Sequence, residues 1–306
     1  MIQLPTFLKA GDLILVVSPS GVVNEAAVQE GIFLLRKAGF KVELASNVFT
    51  KHYKFAGTEI QRLYDLQYAM DHSEAKAIFC ARGGFGITHI IDQLNWEKFQ
   101  QNAKWIIGFS DITALLHAAY IQGFASIHAS VVQGLSKLNS ANKEAVIKTL
   151  KGDFSILTAL SKFNKVGEAQ GDLIGGNLSL LVHQLGSATE IDYKDRILFV
   201  EEVAEPLYHV DRMLVQLKRA GKLQYLRGLV VGQFTNTSES KELYGECVEE
   251  IILRHCSDYN FPVGFNFPFG HGDENVPLMH GGNVQLTVAM GKSSLLFSNT
   301  NDHLST

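Results

Sequence analysis

Cysteine is scarce in this chain. Its 306 residues hold three (Cys80, Cys247 and Cys256), an odd number with no C-x-x-C pair, which argues against a disulfide framework. Lysine and arginine form no block and the net charge is −4, so nothing marks a nucleic-acid or anionic membrane surface. No apolar run approaches the roughly 20 residues of a membrane span. The opening Met1-Ile2-Gln3-Leu4-Pro5 has neither a basic n-region nor a cleavage pattern, so no secretory signal is expected. Together these point to the cytoplasm. Also missing are the phosphate loop G-x-x-x-x-G-K-[ST], the dinucleotide fingerprint G-x-G-x-x-G and the zincin H-E-x-x-H, and no cofactor is expected.

What is present is a large apolar complement, 46% of residues, with 19% charged, enough for an ample core and, by length, two domains. Leu13–Val17, Lys41–Leu44, Ala77–Ala81 and Trp105–Phe109 read as strands. Between them lie helical patterns, one capped by Asn24, one by Thr58 with Ile60, Leu63, Leu66 and Met70 inward, and one reaching Leu94. Strands alternating with helices predict an α/β fold with a parallel sheet, whose ligands bind beyond the carboxyl ends of the strands. Three unusual segments fall there: Ser18-Pro19-Ser20-Gly21, Arg82-Gly83-Gly84 and Ser110-Asp111. The polar stretch 137–170 reads as an interdomain linker, dividing an N-terminal domain, 1–136, from a C-terminal one, 171–306. In the latter, Ile197–Val200 and Leu229–Gly232 read as strands, Lys241–Cys256 as an amphipathic helix, and Val284–Phe297 as a hairpin.

Ser110 sits where an apolar strand gives way to a helical pattern carrying Leu115, Leu116 and Ala119. A serine on such a sharp turn projects its hydroxyl from the sheet edge, beside the unpaired N–H groups of the helix start, which is the geometry of a nucleophile elbow. The G-x-S-x-G pattern is incomplete, because position 112 is Ile, and a serine that only caps the helix is the competing reading. Gly83-Gly84 is either a tight turn or a place where bare backbone approaches a substrate. His271 lies between Gly270 and Gly272 in a turn-rich loop and can be aimed, or can be a surface turn residue. Glu201-Glu202 ends a strand, where a carboxylate can orient an imidazole. Ser110, Glu201 and His271 then stand in the order nucleophile, acid, base, too far apart for a local motif and suited to a site closed across two domains. A metal reading would draw on His271, Asp273, Glu274 and His280, but no pair has ligand spacing.

Five segments in order, Ala81-Arg82-Gly83-Gly84-Phe85-Gly86, Gly108-Phe109-Ser110-Asp111, Gly175-Gly176-Asn177-Leu178, Phe199-Val200-Glu201-Glu202 with Asp211-Arg212-Met213-Leu214, and Gly270-His271-Gly272-Asp273, resemble the LD-carboxypeptidase family of serine peptidases, which includes the microcin C self-immunity proteins. The resemblance covers nearly the whole chain. It implies an N-terminal flavodoxin-like domain, a C-terminal swivelling β-rich α/β domain, and a Ser-Glu-His triad. Ser110 would be the nucleophile, His271 the general base and acid, and Glu201 the orienting acid, as the first of the acidic pair. The oxyanion hole would take the N–H of Asp111 and one from the Gly83-Gly84 turn, at Gly84. Glu202, where the family often has Asp, and Met279-His280, in a usually apolar stretch, depart from the pattern.

The activity so implied is release of terminal D-Ala from the L-centre of a diamino acid in a murein tetrapeptide, during cell-wall recycling. Arg82 and Gly83 would bind substrate, with the Arg82 fork on the terminal carboxylate or, alternatively, in a structural ion pair. The implied partners are this murein peptide and, as an assembly, a homodimer, with no nucleic acid, membrane or metal. An immunity-type hydrolase of an aminoacyl-nucleotide amide is the alternative. It would need an aromatic or basic platform in 137–170 or near Phe234-Thr235, and the first stretch has no Trp. A non-catalytic binding module is disfavoured by the joint presence of Ser110, Glu201 and His271.

Overall fold

β1 (Leu13–Val17) is buried along its whole length, as a strand covered on both faces must be. Asn24 then caps α1 (Glu25–Lys37), its side chain accepting from the Ala27 N–H. β2 (Lys41–Leu44), α2 (Glu59–Asp71), β3 (Ala75–Cys80), α3 (Glu97–Gln101), β4 (Trp105–Gly108), α4 (Thr113–Ile121), β5 (Ser126–His128) and α5 (Ser140–Leu150) follow. The computed structural model describes residues 2–239 and 243–298 and divides into two compact units. The first comprises residues to Phe154 with Gly186–Glu190 and Pro277–His280.

The second unit holds β6 (Leu157–Ser161), β7 (Gly167–Asn177), α6 (Leu178–His183), β8 (Ile197–Val203), α7 (Leu207–Arg219), β9 (Gly228–Thr235), α8 (Val248–Cys256) and β10 (Val263–Gly264). The chain then supplies β11 (Leu278–His280) to the first unit and returns as the hairpin β12 (Asn283–Ala289) and β13 (Gly291–Phe297).

The first sheet runs β11-β5-β4-β3-β1-β2, parallel except for β11, which pairs antiparallel with β5. Without that edge the order is 2-1-3-4-5, the flavodoxin-like arrangement. The second sheet runs β10-β9-β8-β7-β12-β13-β6, parallel from β10 to β7 and antiparallel beyond. Its parallel half packs around Phe199, Phe265, Phe267 and Phe269, each fully buried.

Several segments differ from the sequence reading. Thr58 caps α2 as expected, and the structure adds a capping box with Gln61, but the inward face is Arg62, Asp65, Leu66, Ala69 and Met70, while Ile60 is 80% exposed. The two charged residues can turn inward because each finds partners: Asp65 accepts from Asn47, and Arg62 donates to main-chain carbonyls. The helix expected up to Leu94 is two short 3-10 turns, Ile87–His89 and Ile91–Gln93, separated by Ile90, whose φ of −121 and ψ of −13 interrupt the run. The stretch expected as a linker, 137–170, holds α5, β6 and the start of β7, and its Asn139 is the cap of α5. The helix expected from Lys241 begins at Val248, after Gly245 at φ +87 and a cap at Cys247. Residues 240–242 of that segment lie outside the described residues.

Candidate active site

In the first unit, β4 ends at Gly108 and Ser110 opens a 3-10 turn that runs directly into α4. Ser110 has φ +62, a conformation that costs a non-glycine residue about 1–3 kcal/mol and is found where surrounding structure imposes it. A Cβ on Gly108 would lie 2.8 Å from the Ile112 side chain, so the glycine admits this tight bend and Ile112, fully buried, fills the place where the usual motif has its second glycine. Ser110 does not cap: neither turn has a side-chain cap hydrogen bond at its start.

The Gly83-Gly84 turn lies against this elbow. A Cβ on Gly83 would come within 3.1 Å of the Ser110 Cβ and 3.4 Å of the Asp111 nitrogen, and Gly84 has φ +99. Close backbone approach, not the turn alone, explains the pair. Asp111 is buried, and its Oδ2 accepts from the Ile87 N–H at 3.0 Å instead of capping its own helix. Arg82 is half-buried and its Nη1 donates to the Val22 carbonyl, so part of its fork holds the β1 loop.

In the second unit, the pairing of β8 with β9 slips at the acidic pair: β8 advances from Val200 to Glu202 while β9 advances from Val231 to Phe234. Bulges of this kind re-aim side chains beside functional sites. Glu201, wholly buried, places Oε2 2.6 Å from His271 Nδ1. A carboxylate only accepts, so Nδ1 carries the proton and Nε2 becomes the base atom. The flanking glycines make this approach feasible. A Cβ on Gly270 would sit 3.0 Å from the Glu201 Cβ, and one on Gly272 would sit 1.8 Å from Gln233 Oε1. Asn275 Oδ1 accepts from the Gly270 N–H and braces the loop.

Glu202 has a different occupation. Its oxygens accept from Asn177 Nδ2 at 2.8 Å and from the Ser179 N–H at 2.7 Å, at the start of α6. Burial pushes its carboxyl pKa up, against hydrogen bonds from Val203, Asn177 and Ser179 that pull it down, with the Glu201 charge adding to the rise. For His271 burial opposes protonation most strongly, yet the hydrogen bond and charge of Glu201, with Glu202 behind it, leave the imidazole above its ordinary value. His271 also borders a cavity of 1180 Å³ whose wall includes Phe234, Thr235, Glu249, Asp273 and Glu274.

Of the metal candidates, His271, Asp273 and Glu274 border this cavity without being arranged as ligands. His280 is a buried β11 residue beside the His117 and Tyr120 rings, and among the described residues no three His, Cys, Asp or Glu are grouped to hold an ion. Sequence reasoning gave no role to Arg62, Asn177 or Gln233. Asn177 was signalled, since an Asn directly before a helical run is a cap, and Arg62 shares the spacing of Leu66 and Met70.

Comparison with known proteins agrees across the chain. Residues 14–129 match the LD-carboxypeptidase N-terminal domain family and residues 170–286 the LD-carboxypeptidase C-terminal domain family. A protein of Synechocystis sp. is 33% identical over 95% of this chain and 97% of its own. The probable murein peptide carboxypeptidase of Bacillus subtilis is 30% identical over 93% and 92%. The crystal structure of muramoyltetrapeptide carboxypeptidase from Oxalobacter formigenes superposes with a TM-score of 0.86 at 28% identity, covering 94% of this chain and 98% of that one. The microcin C7 self immunity protein MccF shares the fold, with a TM-score of 0.85 at 20% identity over 98% and 99%.

Proposed function

Because the chain belongs to the LD-carboxypeptidase family of serine peptidases, we propose that it hydrolyses the L-to-D amide bond that releases terminal D-Ala from a murein tetrapeptide. The observation that carries the chemistry is the buried Glu201–His271 pair, which fixes one tautomer of a histidine held above its ordinary pKa. Ser110 Oγ attacks the amide carbonyl carbon as His271 Nε2 takes its proton, a step that requires the two atoms within hydrogen-bond reach. The N–H groups of Asp111 and Gly84 receive the oxyanion. The C–N bond breaks as His271 returns the proton to the D-Ala amine. Water, deprotonated by His271, then cleaves the Ser110 ester and restores the hydroxyl.

The substrate reading has its own support. Glu249, Asp273 and Glu274 in the cavity wall suit an ammonium such as the side chain of a diamino acid carries. Arg82 offers the rest of its fork to the terminal carboxylate. We extend the reading to a cytoplasmic homodimer acting in cell-wall recycling; among the described residues no helix is long and apolar enough to cross a membrane.

The test is incubation of wild type and Ser110→Ala with disaccharide-free tetrapeptide, with and without EDTA, followed by mass measurement of the products. Wild type releases D-Ala whether or not EDTA is present, and the variant loses at least about 10³-fold in kcat. A C-terminal amide in place of the acid is cut poorly. Wild type that spares the tetrapeptide but hydrolyses an aminoacyl-nucleotide amide would move the assignment to the immunity-type reading, which the MccF fold and Phe234 in the cavity wall support.

A further inference from the structure

Arg62 is a buried charge whose placement calls for a reason. It is 2% exposed on the inner face of α2, and its Nη1 donates to the carbonyls of Pro19 and Gly86, both at 2.7 Å. Burial pulls its pKa down, while the charges of Glu59 and Asp111 oppose that fall. Replacing such a charge with a packed apolar residue is often neutral or stabilising, so packing alone does not account for it. The two carbonyls belong to the loops at the carboxyl ends of β1 and β3, and a single guanidinium nitrogen ties them together.

The same loops meet at the elbow. The Gly21 N–H donates to the Gly83 carbonyl at 3.0 Å, joining the β1 loop to the glycine pair. The Ile87 N–H donates to Asp111, the residue after Ser110. The segment 83–87 is therefore held at Gly83, Gly86 and Ile87, and between those anchors lies the Gly84 N–H. Gly86 is shaped for this contact: at φ +126, a Cβ there would lie 2.9 Å from Arg62 Nη1. The Phe55 ring packs against the guanidinium, its centroid 5.0 Å from the guanidinium carbon, and restrains it further.

We propose that Arg62 is a positioning residue for the oxyanion hole: by clamping the Pro19 and Gly86 carbonyls it holds the Gly83–Ile87 segment so that the Gly84 N–H faces the carbonyl that Ser110 attacks. This rests on the serine-peptidase reading above. A donor held in this way acts on the transition state and not on substrate binding, so its displacement lowers kcat and leaves KM. Arg62 does not itself touch substrate.

Arg62→Met and Arg62→Lys test the clamp. Active sites are counted by complete labelling with a fluorophosphonate, the labelling rate constant is recorded, and kcat and KM for the tetrapeptide are expressed per labelled site. Loss of one oxyanion donor costs about 10²–10³ in rate, so Arg62→Met should fall about 10- to 100-fold in both kcat per site and labelling rate, with KM within about twofold. Arg62→Lys, which keeps the charge without the fork, should recover part of each. If Arg62→Met does not fold by circular dichroism, a loss in Arg62→Lys decides. Fewer labelled sites with wild-type kcat and labelling rate per site would make Arg62 purely structural and overturn the inference, as would a change confined to KM. Failure of wild type to cut the tetrapeptide would count against the proposed function, and the labelling rates would still decide the role of Arg62.

Discussion

Adjacent Glu201 and Glu202 give the sharpest test of the site, since replacing each by Gln changes one charge and almost no volume. In Glu201→Gln the carboxylate 2.6 Å from His271 Nδ1 is lost. Two unit charges about 4 Å apart at an effective dielectric of about 20 interact by about 4 kcal/mol. That is the stabilisation withdrawn from the imidazolium formed as Ser110 is deprotonated, and at 1.36 kcal/mol per decade it amounts to about 10³ in kcat. Loss of tautomer control widens the expected range to about 10²–10⁴.

In Glu202→Gln the loss falls on Asn177 and the Ser179 N–H at the start of α6. That should cost about 1–3 kcal/mol of stability and leave kcat per folded molecule nearly intact. The pH profile separates the two further. His271 must be neutral to act as base, and Glu201 raises its pKa. The acid limb of kcat/KM in wild type therefore lies above the ordinary imidazole value of about 6.5, and Glu201→Gln moves it to lower pH. The same pairing stabilises the fold fully below that ordinary value and loses its effect as pH rises through the folded pKa; Glu201→Gln removes this dependence. D-Ala release across pH, with circular dichroism melts, reads all of these. Greater kcat damage in Glu202→Gln, or an unmoved acid limb in Glu201→Gln, would refute the reasoning.

Gly83→Ala places a methyl 3.1 Å from the Ser110 Cβ and 3.2 Å from the Phe109 carbonyl, so kcat should fall about 10-fold or more with little change in melting temperature; wild-type kcat would show the glycine to be a turn residue only. His280 is wholly buried and its pKa is lowered well below the ordinary value, first by burial and then by His117 and His128. Its contribution to stability is whole above the unfolded imidazole pKa and is lost as pH falls toward the folded one, by up to about 1.4 kcal/mol per pH unit. Chemical denaturation at pH 7.5, 6 and 5 should show that loss, smaller in His280→Gln, and identical slopes in the two proteins would contradict it.

Local sequence determined the strands covered on both faces, such as Leu13–Val17 and Trp105–Gly108, because burial on both sides leaves a continuous apolar run. It also determined the elbow, since strand, serine and helix follow one another without a break. The glycines around His271 were legible as bending residues, and the order of the motifs assigned Ser110, Glu201 and His271 candidate roles. Residue periodicity could not choose which carboxylate of Glu201-Glu202 meets the imidazole; only the motif's order pointed to Glu201, and the contact itself is made by the tertiary structure. Both lie in a buried strand without polar alternation, and a bulge set by β9, a strand remote in sequence, aims them. Tertiary structure alone turned Arg62 inward, because the carbonyls that accept its protons come from loops after other strands, 43 and 24 residues away. It alone placed Leu278–His280, three residues with no strand signal of their own, where their register on Ser126–His128 is a matter of long-range hydrogen bonding that no local pattern encodes.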